Sequence, residues 1–449
     1  MKCIRTLFSS RSLSGLPWLS AVFAAVLVGA LTPTARAELQ IDITQGVTDP
    51  IPVAIVPFAS AAPADGGLDL AAVVQHDLDG SGRFRSMSRA SMHALPQHAV
   101  DVVVADWRAA GEDYVLVGRT TAEQGGKLLV SCELLNVLTG QVVGATHFDA
   151  SAATMRHVAH QVSDFVFEKI VGARGAFATR IAYVAVEGEP PAQRYRLYVA
   201  DADGESAQVV LDSSRPIMSP AWSADGQWLA YVSFEDRVAA IYVQQLRSSQ
   251  RQRVSQRAGV NGAPAWSPDG KKLALTLSGS SGNLDVWVLE LATQSLVRIT
   301  SDPAIDTEPA WSADGKELYF TSDRSGGPQI YRTDVATHEH VQRITFGSSY
   351  NARARLAPDG RTLAFVTREG SDYRIAVQDL GNGGVRVLTR GSLDEAPAFA
   401  PNGLTLIYAG KAGGRRTLAT VAVDGQVTQR LKADHGDVRE PVWGPFTGN

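Results

Sequence analysis

The chain has 449 residues, of which 45% are hydrophobic and 20% charged, a composition typical of globular proteins and sufficient for two domains with their own cores. Its formal net charge is −4. The mature chain is more acidic still, because the first 37 residues hold four basic side chains and no acidic one. An acidic protein without basic clusters is poorly suited to binding nucleic acid, so that class of function is excluded.

Residues 1–37 have the pattern of a cleavable export signal. Three basic residues precede an apolar run over residues 18–31, and Ala35-Arg36-Ala37 supplies small residues at the two positions that define cleavage. The pattern predicts a Sec-type signal peptide cut before Glu38. A retained membrane anchor is the alternative, but a spanning helix needs about 20 apolar residues, and this run is shorter.

Residues 38–172 are predicted to form a small α/β domain, with residues 38–46 as an N-terminal arm. Strand-like runs cover residues 51–58, 114–119, 127–135 and 141–148, and helical runs cover residues 68–78 and 155–170. This order predicts helices packed against one sheet. Residues 173–180 are the predicted linker. The apolar positions of the second helix fall on one face: Met155, Val158, Ala159, Val162, Phe165, Val166 and Ile170.

Cys132 is the one cysteine that follows the predicted cleavage site, so no internal disulfide is expected. It lies in a strand-like run and is predicted to be a small buried residue. A reactive thiol is the alternative.

A motif related to Pro-Ala-Trp-Ser-x-Asp-Gly recurs through the second half of the chain. Its copies end at glycines 44, 45, 45 and 43 residues apart: Gly226, Gly270, Gly315, Gly360 and Gly403. Each period contains four short strand-like runs and no helical pattern. Periods of roughly 40 to 50 residues with this content are typical of β-propeller blades.

Counting the strands predicts how the ring closes. Six equivalents of the second strand begin at Ile181, Leu229, Leu273, Leu318, Leu363 and Leu406. The array therefore starts in the middle of a blade, and Pro441-Val442-Trp443 at the C-terminus supplies the missing first strand. We predict a mainly β fold with a six-bladed β-propeller over residues 181–449. Pairing of residues 441–446 with the strand near Ile181 would leave no open sheet edge there.

The repeated tryptophans Trp222, Trp266 and Trp311 could form a ligand-stacking ring or pack between blades. Packing is favoured, because Leu356 and Phe399 take their place in later repeats. An apolar requirement survives those replacements and a stacking requirement does not.

Motifs for catalysis or metal binding are few. No Gly-x-Ser-x-Gly pentapeptide marks a serine hydrolase. His338-Glu339-His340 is too tightly spaced for a helical zinc motif and is predicted to lie in a surface turn. The segment from Asp201 to Glu205 resembles the start of a calcium loop but lacks the distant glutamate, so a turn is predicted there as well.

The loops that precede each first strand are expected to share one face beside the central channel. They carry six carboxylates, Asp306, Glu308, Asp394, Glu395, Asp437 and Glu440, next to Ile217, Met218 and Tyr350, which are predicted to be exposed. Three interpretations stay open: a solvated loop face, a protein-docking rim with apolar anchors, or paired catalytic carboxylates. Nothing singles out one acid as a base and another as a nucleophile.

The combination of signal peptide, small α/β domain and six-bladed propeller resembles the TolB family, the periplasmic propeller proteins of the Tol-Pal system. The resemblance covers the chain from Glu38 onward. It is carried by the Val53–Phe58 strand, Asn261-Gly262-Ala263-Pro264, Thr307-Glu308-Pro309, Asp394-Glu395-Ala396-Pro397 and Pro441-Val442-Trp443. The chain departs from the pattern at Ala354 and Leu356, which replace proline and tryptophan, and at Val260, where a polar residue is expected.

The resemblance implies a non-enzymatic periplasmic adaptor that supports outer-membrane integrity and outer-membrane invagination during cell division. Its propeller mouth is expected to bind the lipoprotein Pal, and its mature N-terminus is expected to bind TolA, with other envelope proteins as further partners. The positions that match the Pal contacts are Val260, Asn261, Thr307, Glu308, Arg215, Met218, Asp394 and Glu395. Those that match the TolA segment are Glu38, Leu39, Gln40, Ile41, Asp42 and Ile43.

The alternative from another class is a secreted propeller hydrolase that acts in the central channel. Asp306, Glu308, Asp394 and Glu395 would be its candidate catalytic residues. No cofactor and no metal site is expected, although the sequence leaves open whether calcium occupies the channel.

Overall fold

The computed structural model describes residues 42–45, 49–60, 68–279, 282–432 and 436–447. The predicted signal peptide lies outside these ranges, as do residues 38–41 of the predicted TolA-binding segment. Within the described ranges, no helix is long and apolar enough to cross a membrane.

The N-terminal domain is built on one mixed sheet. Its elements are β2 Ile51–Ile55, β3 Ala59–Ser60, α1 Leu70–Gly80, β4 Phe84–Ser86, α2 Val104–Ala109, β5 Tyr114–Ala122, β6 Leu128–Asn136, β7 Gln141–Ala150 and α3 Met155–Val171. The strand order is β4-β2-β5-β6-β7, with β3 beside β5. Strand β2 runs parallel to β4 and β5, whereas β5, β6 and β7 are antiparallel.

Both faces of this sheet are covered, which the strand and helix pattern did not predict. Helices α1 and α3 pack on one face in a core that includes Leu116 and Val162. Residues 87–107, with the short helix α2, cover the other face and bury Trp107 to 1% exposure. Cys132 belongs to the first core and is buried, as predicted.

The rest of the chain forms six four-stranded blades, which confirms the predicted propeller. The first blade contains β8 Arg180–Glu187, β9 Arg194–Asp201 and β10 Gln208–Ser213, and its fourth strand is the closing segment. The second blade contains β11 Ile217–Trp222, β12 Trp228–Ser233, β13 Ala240–Gln245 and β14 Arg251–Ser255, and the third contains β15 Asn261–Trp266, β16 Lys272–Ser278, β17 Leu284–Glu290 and β18 Leu296–Arg298. The fourth blade contains β19 Asp306–Trp311, β20 Glu317–Ser322, β21 Gln329–Asp334 and β22 Gln342–Arg343. The fifth blade contains β23 Asn351–Leu356, β24 Thr362–Glu369, β25 Asp372–Asp379 and β26 Val385–Val387. The sixth blade contains β27 Glu395–Phe399, β28 Thr405–Ala412, β29 Arg415–Ala422 and β30 Thr428–Arg430. The closing segment is β31 Asp437–Trp443.

The C-terminal strand closes the ring as predicted. Strand β31 pairs antiparallel with β8, and Val442 and Trp443 lie opposite Ala182 and Ile181. The pairing begins at Asp437, four residues earlier than predicted, and ends at Trp443. The first blade is therefore made from both ends of the propeller segment, which joins the ring without an open edge at this point.

The tryptophans that recur at one place in the repeat pack between blades. Trp266 and Trp311 donate their indole N–H groups to the carbonyl oxygens of Ala221 and Ala265 in the preceding blade, at 3.2 and 3.0 Å. Trp222 makes the equivalent contact with Val442 at 3.4 Å. The predicted packing role is confirmed, and each indole adds a hydrogen bond between blades to its buried apolar area.

One side of the propeller carries the N-terminal domain. Helix α3 and the segment that follows α1 contact turns of the first and sixth blades: Arg156 of α3 pairs with Asp201 at 3.3 Å, and Arg83, three residues after the end of α1, pairs with Asp424 at 3.3 Å. These turns join the third and fourth strands of their blades. The loops that lead into the first strands emerge from the opposite side, which the N-terminal domain leaves uncovered.

Candidate functional site at the open mouth

We call this uncovered side the open mouth. It is formed by two sets of loops, those between the second and third strands of each blade and those that lead into the first strand of the next. In an antiparallel blade both sets emerge at the same end of the strands. The first strands β11, β15, β19, β23, β27 and β31 run inward from it along the channel.

A β-bulge interrupts every one of these six inner strands. The register shifts at the same place in each, and the bulged residue has a left-handed φ between 45° and 60°: Ser219, Ala263, Glu308, Arg353, Ala396 and Glu440. Bulges bend a strand and redirect a side chain. All six bulged residues line one cavity of about 40 Å³ in the channel.

An ion-pair network fills the centre of this ring. Nε of Arg353 lies 2.8 Å from Oε1 of Glu308, and Nη2 of Arg353 lies 3.4 Å from Oε1 of Glu440. Burial alone would lower the pKa of Arg353, but Glu308, Glu440 and Glu395 outweigh that effect and raise it. Glu440 also accepts a hydrogen bond from the backbone N–H of Ser219. The guanidinium therefore links carboxylates from two other blades to its own blade.

The donor set at the channel centre does not fit calcium. A calcium ion takes six to eight oxygen ligands and relies on free carboxylates. Here the carboxylates of Glu308 and Glu440 are both held by the Arg353 guanidinium, which supplies the positive charge in the same place. Arg355 adds a second cation beside the cavity.

Exposed apolar side chains surround the open mouth. Met218, Val238, Val260, Ile305 and Phe346 are between 42% and 64% exposed. Met218, Val260, Ile305 and Phe346 come from four consecutive inter-blade positions, and Val238 lies in the loop between β12 and β13 of the second blade. The Phe346 ring is braced by the Arg343 guanidinium at 4.7 Å. Apolar side chains gathered on one surface and flanked by charges are typical of protein-binding sites.

Two of the predicted Pal contacts lie beneath the surface. Asn261 is 1% exposed, and its amide holds its own loop by accepting from Ser255 Oγ at 2.7 Å and donating to the Arg257 carbonyl at 2.7 Å. Asp394 is also buried and accepts from the backbone N–H of Gly391 at 3.0 Å. Burial raises the pKa of Asp394 despite its hydrogen bonds to Thr389 and Gly391. Both side chains fix the shape of the rim.

The other predicted contacts are accessible to different degrees. Arg215, Met218 and Val260 are exposed, whereas Thr307, Glu308 and Glu395 are half-buried along the channel wall. The predicted exposure of Ile217 is wrong. This side chain is 3% exposed, because the alternation along β11 turns it into the core between the first two blades while its neighbour Met218 faces outward.

Sequence reasoning missed three of the apolar rim residues, Val238, Ile305 and Phe346. Tyr350, which was expected to be exposed, is half-buried against the Tyr373 ring at 5.1 Å. The signal that could have found Ile305 and Phe346 was present, since each is an apolar residue in the polar loop that leads into an inner strand.

The four carboxylates of the hydrolase alternative are already engaged. Both oxygens of Asp306 bind Arg324, at 3.0 and 2.9 Å, and the residue is 0% exposed. Glu308 is held by Arg353, and Glu395 lies 3.0 Å from Arg416. With Asp394 buried, these residues offer no pair of free carboxylates for acid and base catalysis.

The two remaining motifs form turns, as predicted. His338 and His340 both have left-handed φ angles in the exposed turn between β21 and β22. Asp201 to Glu205 closes the hairpin between β9 and β10, with the Gly204 N–H donating to the Asp201 carbonyl at 2.9 Å.

The predicted arm is represented by strand β1, Asp42–Gln45, which adds a fifth strand to the sixth blade. Asp42 lies opposite Arg430, and Ile43 lies opposite Gln429. The backbone of the arm therefore covers the outer edge of that blade.

Comparisons with known proteins agree with this architecture. The family model described as the TolB amino-terminal domain matches residues 39–143, and the one described as the TolB beta propeller domain matches residues 167–447. The chain is 43% identical over 432 residues to the Tol-Pal system protein TolB of Xylella fastidiosa, covering 94% of this chain and 97% of that protein. It is also 43% identical to the protein of the same name from Xanthomonas euvesicatoria over 438 residues, covering 96% of this chain and 98% of the relative.

A solved structure shows the same arrangement of domains. The crystal structure of TolB from Acinetobacter baumannii aligns with a TM-score of 0.84 at 40% identity, covering 91% of this chain and all of that one. Similarity of this extent spans both the N-terminal domain and the propeller. The chain therefore belongs to the TolB family of the Tol-Pal system.

Proposed function

We propose that this chain is a non-enzymatic periplasmic adaptor whose open mouth binds Pal and whose N-terminal segment, residues 38–43, binds TolA. Through these contacts it would support outer-membrane integrity and invagination of the outer membrane during cell division. The observation that carries the proposal is the rim of exposed apolar side chains around a channel whose central charges are neutralised within the protein.

The chemistry of the mouth favours a protein as the ligand. Met218, Val260, Ile305 and Phe346 offer apolar anchors, while Arg215 and the half-buried Thr307 offer polar contacts beside them. A rim of this kind buries apolar area on docking and needs little ordering, because the blades hold it in place. Asn261 and Asp394 would contribute by fixing the loops.

The arm supports a link between the two binding events. Its residues 42 and 43 pair with β30 through the backbone, so binding of TolA to the same residues would require that pairing to open. If Pal favours one position of the arm, TolA affinity changes with it, and reciprocally. Hydrogen exchange of residues 42–45, measured with and without Pal, tests this coupling. Identical protection in both samples would rule it out.

Single substitutions in the rim test the docking proposal. Ile305→Asp and Phe346→Asp each place a charge where an apolar anchor should be buried, and each is expected to weaken Pal binding by at least about tenfold, or roughly 1.4 kcal/mol. Isothermal titration with purified Pal gives the affinities.

Val142→Asp is the matched control, because Val142 is 50% exposed but lies on the N-terminal domain. It should bind Pal like the unmodified chain. Full affinity in both rim variants would contradict docking at the mouth. Turnover of a glycan or peptide substrate by the unmodified chain would instead favour the hydrolase alternative.

Whether calcium occupies the channel is a separate question from partner binding. The expectation that calcium could occupy the channel stays a prediction, and the position of Arg353 between Glu308 and Glu440 argues against it.

A further inference from the structure

The fifth blade has an arginine where the other blades have a small apolar residue. Arg355 stands at the second position of the recurring Pro-Ala-Trp motif, between the replacements Ala354 and Leu356. The equivalent residues of the other blades are Ala221, Ala265, Ala310, Ala398 and Val442. All six line one open cavity of about 350 Å³ at the end of the channel opposite the open mouth. We call this cavity the lower vestibule.

The walls of the lower vestibule are apolar. Each blade contributes one large half-buried side chain, in blade order Trp443, Trp222, Trp266, Trp311, Leu356 and Phe399. The N–H groups of all four indoles are already donated to oxygen atoms of other residues. The hydroxyl groups of Ser267 and Ser312 donate to the aspartate of their own turns. Among the lining side chains, Arg355 is therefore the polar group that is left to meet a ligand.

The Arg355 guanidinium has no carboxylate partner among the described residues. Its Nη1 donates to the Ala354 carbonyl oxygen at 2.8 Å, which uses one of its five N–H groups. Burial lowers the pKa of Arg355, and attraction by Glu308 and Glu440 is too weak to offset burial together with repulsion by Arg353. For Arg353 the same two glutamates raise the pKa, because they contact it directly. The glutamates therefore compensate Arg353 and leave Arg355 as an unpaired cation.

A partly buried cation without a counter-charge favours an anion beside it. The planar guanidinium matches a carboxylate in a two-pronged, charge-assisted hydrogen bond. The four charges at the centre of the channel, Glu308, Glu440, Arg353 and Arg355, sum to zero, so one bound carboxylate adds a single negative charge. A second carboxylate would meet no further unpaired cation among the lining residues. The arrangement therefore favours a monoanion.

We propose that the lower vestibule binds an organic monocarboxylate, with its carboxylate on the Arg355 guanidinium and its apolar body against the tryptophan-lined wall. The volume of about 350 Å³ lies in the range of small-molecule sites, which are mostly apolar with a few polar groups. A ligand here would contact all six inner strands and should raise the resistance of the ring to unfolding. The site is separate from the rim proposed for Pal, since the two lie at opposite ends of the channel.

Isothermal titration of the chain from Glu38 with 2-naphthoate, in a buffer free of carboxylate and phosphate ions, tests the proposal. One ligand should bind per chain, and thermal unfolding should shift upward with added ligand. 2-Naphthamide has nearly the same shape but no charge, and it should bind at least about tenfold more weakly.

A tripeptide that ends in phenylalanine, compared as free acid and as amide, distinguishes two sources of the carboxylate. Tighter binding of the free-acid peptide than of 2-naphthoate would identify the C-terminus of a polypeptide as the ligand. The opposite order would identify a small organic acid.

Arg355→Ala gives the fifth blade the alanine that other blades have at this position, so the fold should tolerate it. It should weaken 2-naphthoate binding by at least about tenfold and leave 2-naphthamide binding unchanged. Arg355→Lys keeps the charge and should retain part of the affinity. Arg368→Ala is the matched control, because Arg368 is an exposed arginine of the same blade at the open-mouth end of β24. It should bind 2-naphthoate like the unmodified chain.

Three results would each overturn the proposal: no one-to-one binding of 2-naphthoate, equal affinities for the acid and the amide, or full affinity in a folded Arg355→Ala variant. If that variant does not fold, the comparison of acid and amide on the unmodified chain decides the matter.

Discussion

Arg353 is the side chain on which the centre of the channel depends. It sits at a bulge with a φ of 60°, a backbone conformation that costs a non-glycine residue roughly 1 kcal/mol or more. From that position its guanidinium reaches Glu308 and Glu440 on two other blades. The strained backbone is therefore compensated by a network that holds three blades together.

Replacing Arg353 tests how much this network contributes to the stability of the fold. Arg353→Met removes the cation and leaves two partly buried carboxylates facing each other, so we expect a loss of about 2 kcal/mol in the free energy of unfolding, measured by urea titration. Arg253→Met is the control, since Arg253 pairs with Asp236 on the exposed surface and should cost less than about 0.5 kcal/mol. Equal losses in the two variants would show that the network adds nothing.

Cys132 gives a prediction about pH. Burial, and to a smaller extent Glu133, raise the pKa of its thiol from 9.0 to about 12. The neutral thiol is therefore the form that the fold favours. Its contribution to stability is complete below pH 9 and is lost as the pH rises from 9 toward 12.

Thiol labelling measures this directly on the chain from Glu38, in which Cys132 is the single thiol. At pH 8.5 the thiolate fraction in the folded protein should be lower by a factor of several hundred than in the unfolded chain, so a disulfide reagent should label the folded protein at least about 100-fold more slowly. Cys132→Ser provides the blank. Rapid labelling of the folded protein would contradict the assigned burial.

At the scale of elements, the sequence pattern located the second strand of every blade to within about one residue, because those strands are continuous buried apolar runs. The inner strands begin about three residues earlier than the pattern indicated. Their first halves contain polar residues such as Asn261 and Asp306, which resemble loop sequence but are buried by hydrogen bonds. The bulges escaped prediction because they involve contacts between blades that are distant in sequence: at Ser219, Glu308 and Arg353 the bulged N–H donates to a side chain of a neighbouring blade.

Helix α3 shows why the interface between the domains could not be predicted. Its predicted apolar face packs on the sheet as expected, but it buries a second face that includes His160 and Ser163. Polar residues on a helix ordinarily indicate solvent. Only the position of Asp77 on another helix, and of Asp203 in the propeller, explains their burial.

Strand β31 gives the test of ring closure. Deleting residues 441–449 removes the half of this strand that pairs with Ala182 and Ile181 and the Trp443 N–H that donates to Thr179 Oγ1 at 2.8 Å. The opened edge should lower the midpoint of thermal unfolding by more than about 10 °C.

A synthetic peptide of residues 441–449 provides the control for this deletion. Its addition should restore part of the lost stability, because it can pair with β8 in place of the missing strand. An unchanged midpoint after the deletion would contradict closure by the C-terminus.

At the scale of the whole molecule, the two sides of the propeller differ in what covers them. The N-terminal domain occupies the turns of the first and sixth blades, and the arm extends the sixth blade, so the open mouth is the side left for a partner. Sequence resemblance pointed to this side. It did not identify the anchors at Val238, Ile305 and Phe346, because exposure depends on how the loops fold.

Hydrogen–deuterium exchange of the chain from Glu38, with and without Pal, tests docking at the open mouth most directly. We expect slower exchange in the rim loops at residues 213–218, 256–261, 301–307 and 345–351, and unchanged exchange in the turn at residues 223–227 on the opposite side. Protection confined to the side that carries the N-terminal domain, or no protection of the rim at saturating Pal, would contradict the account.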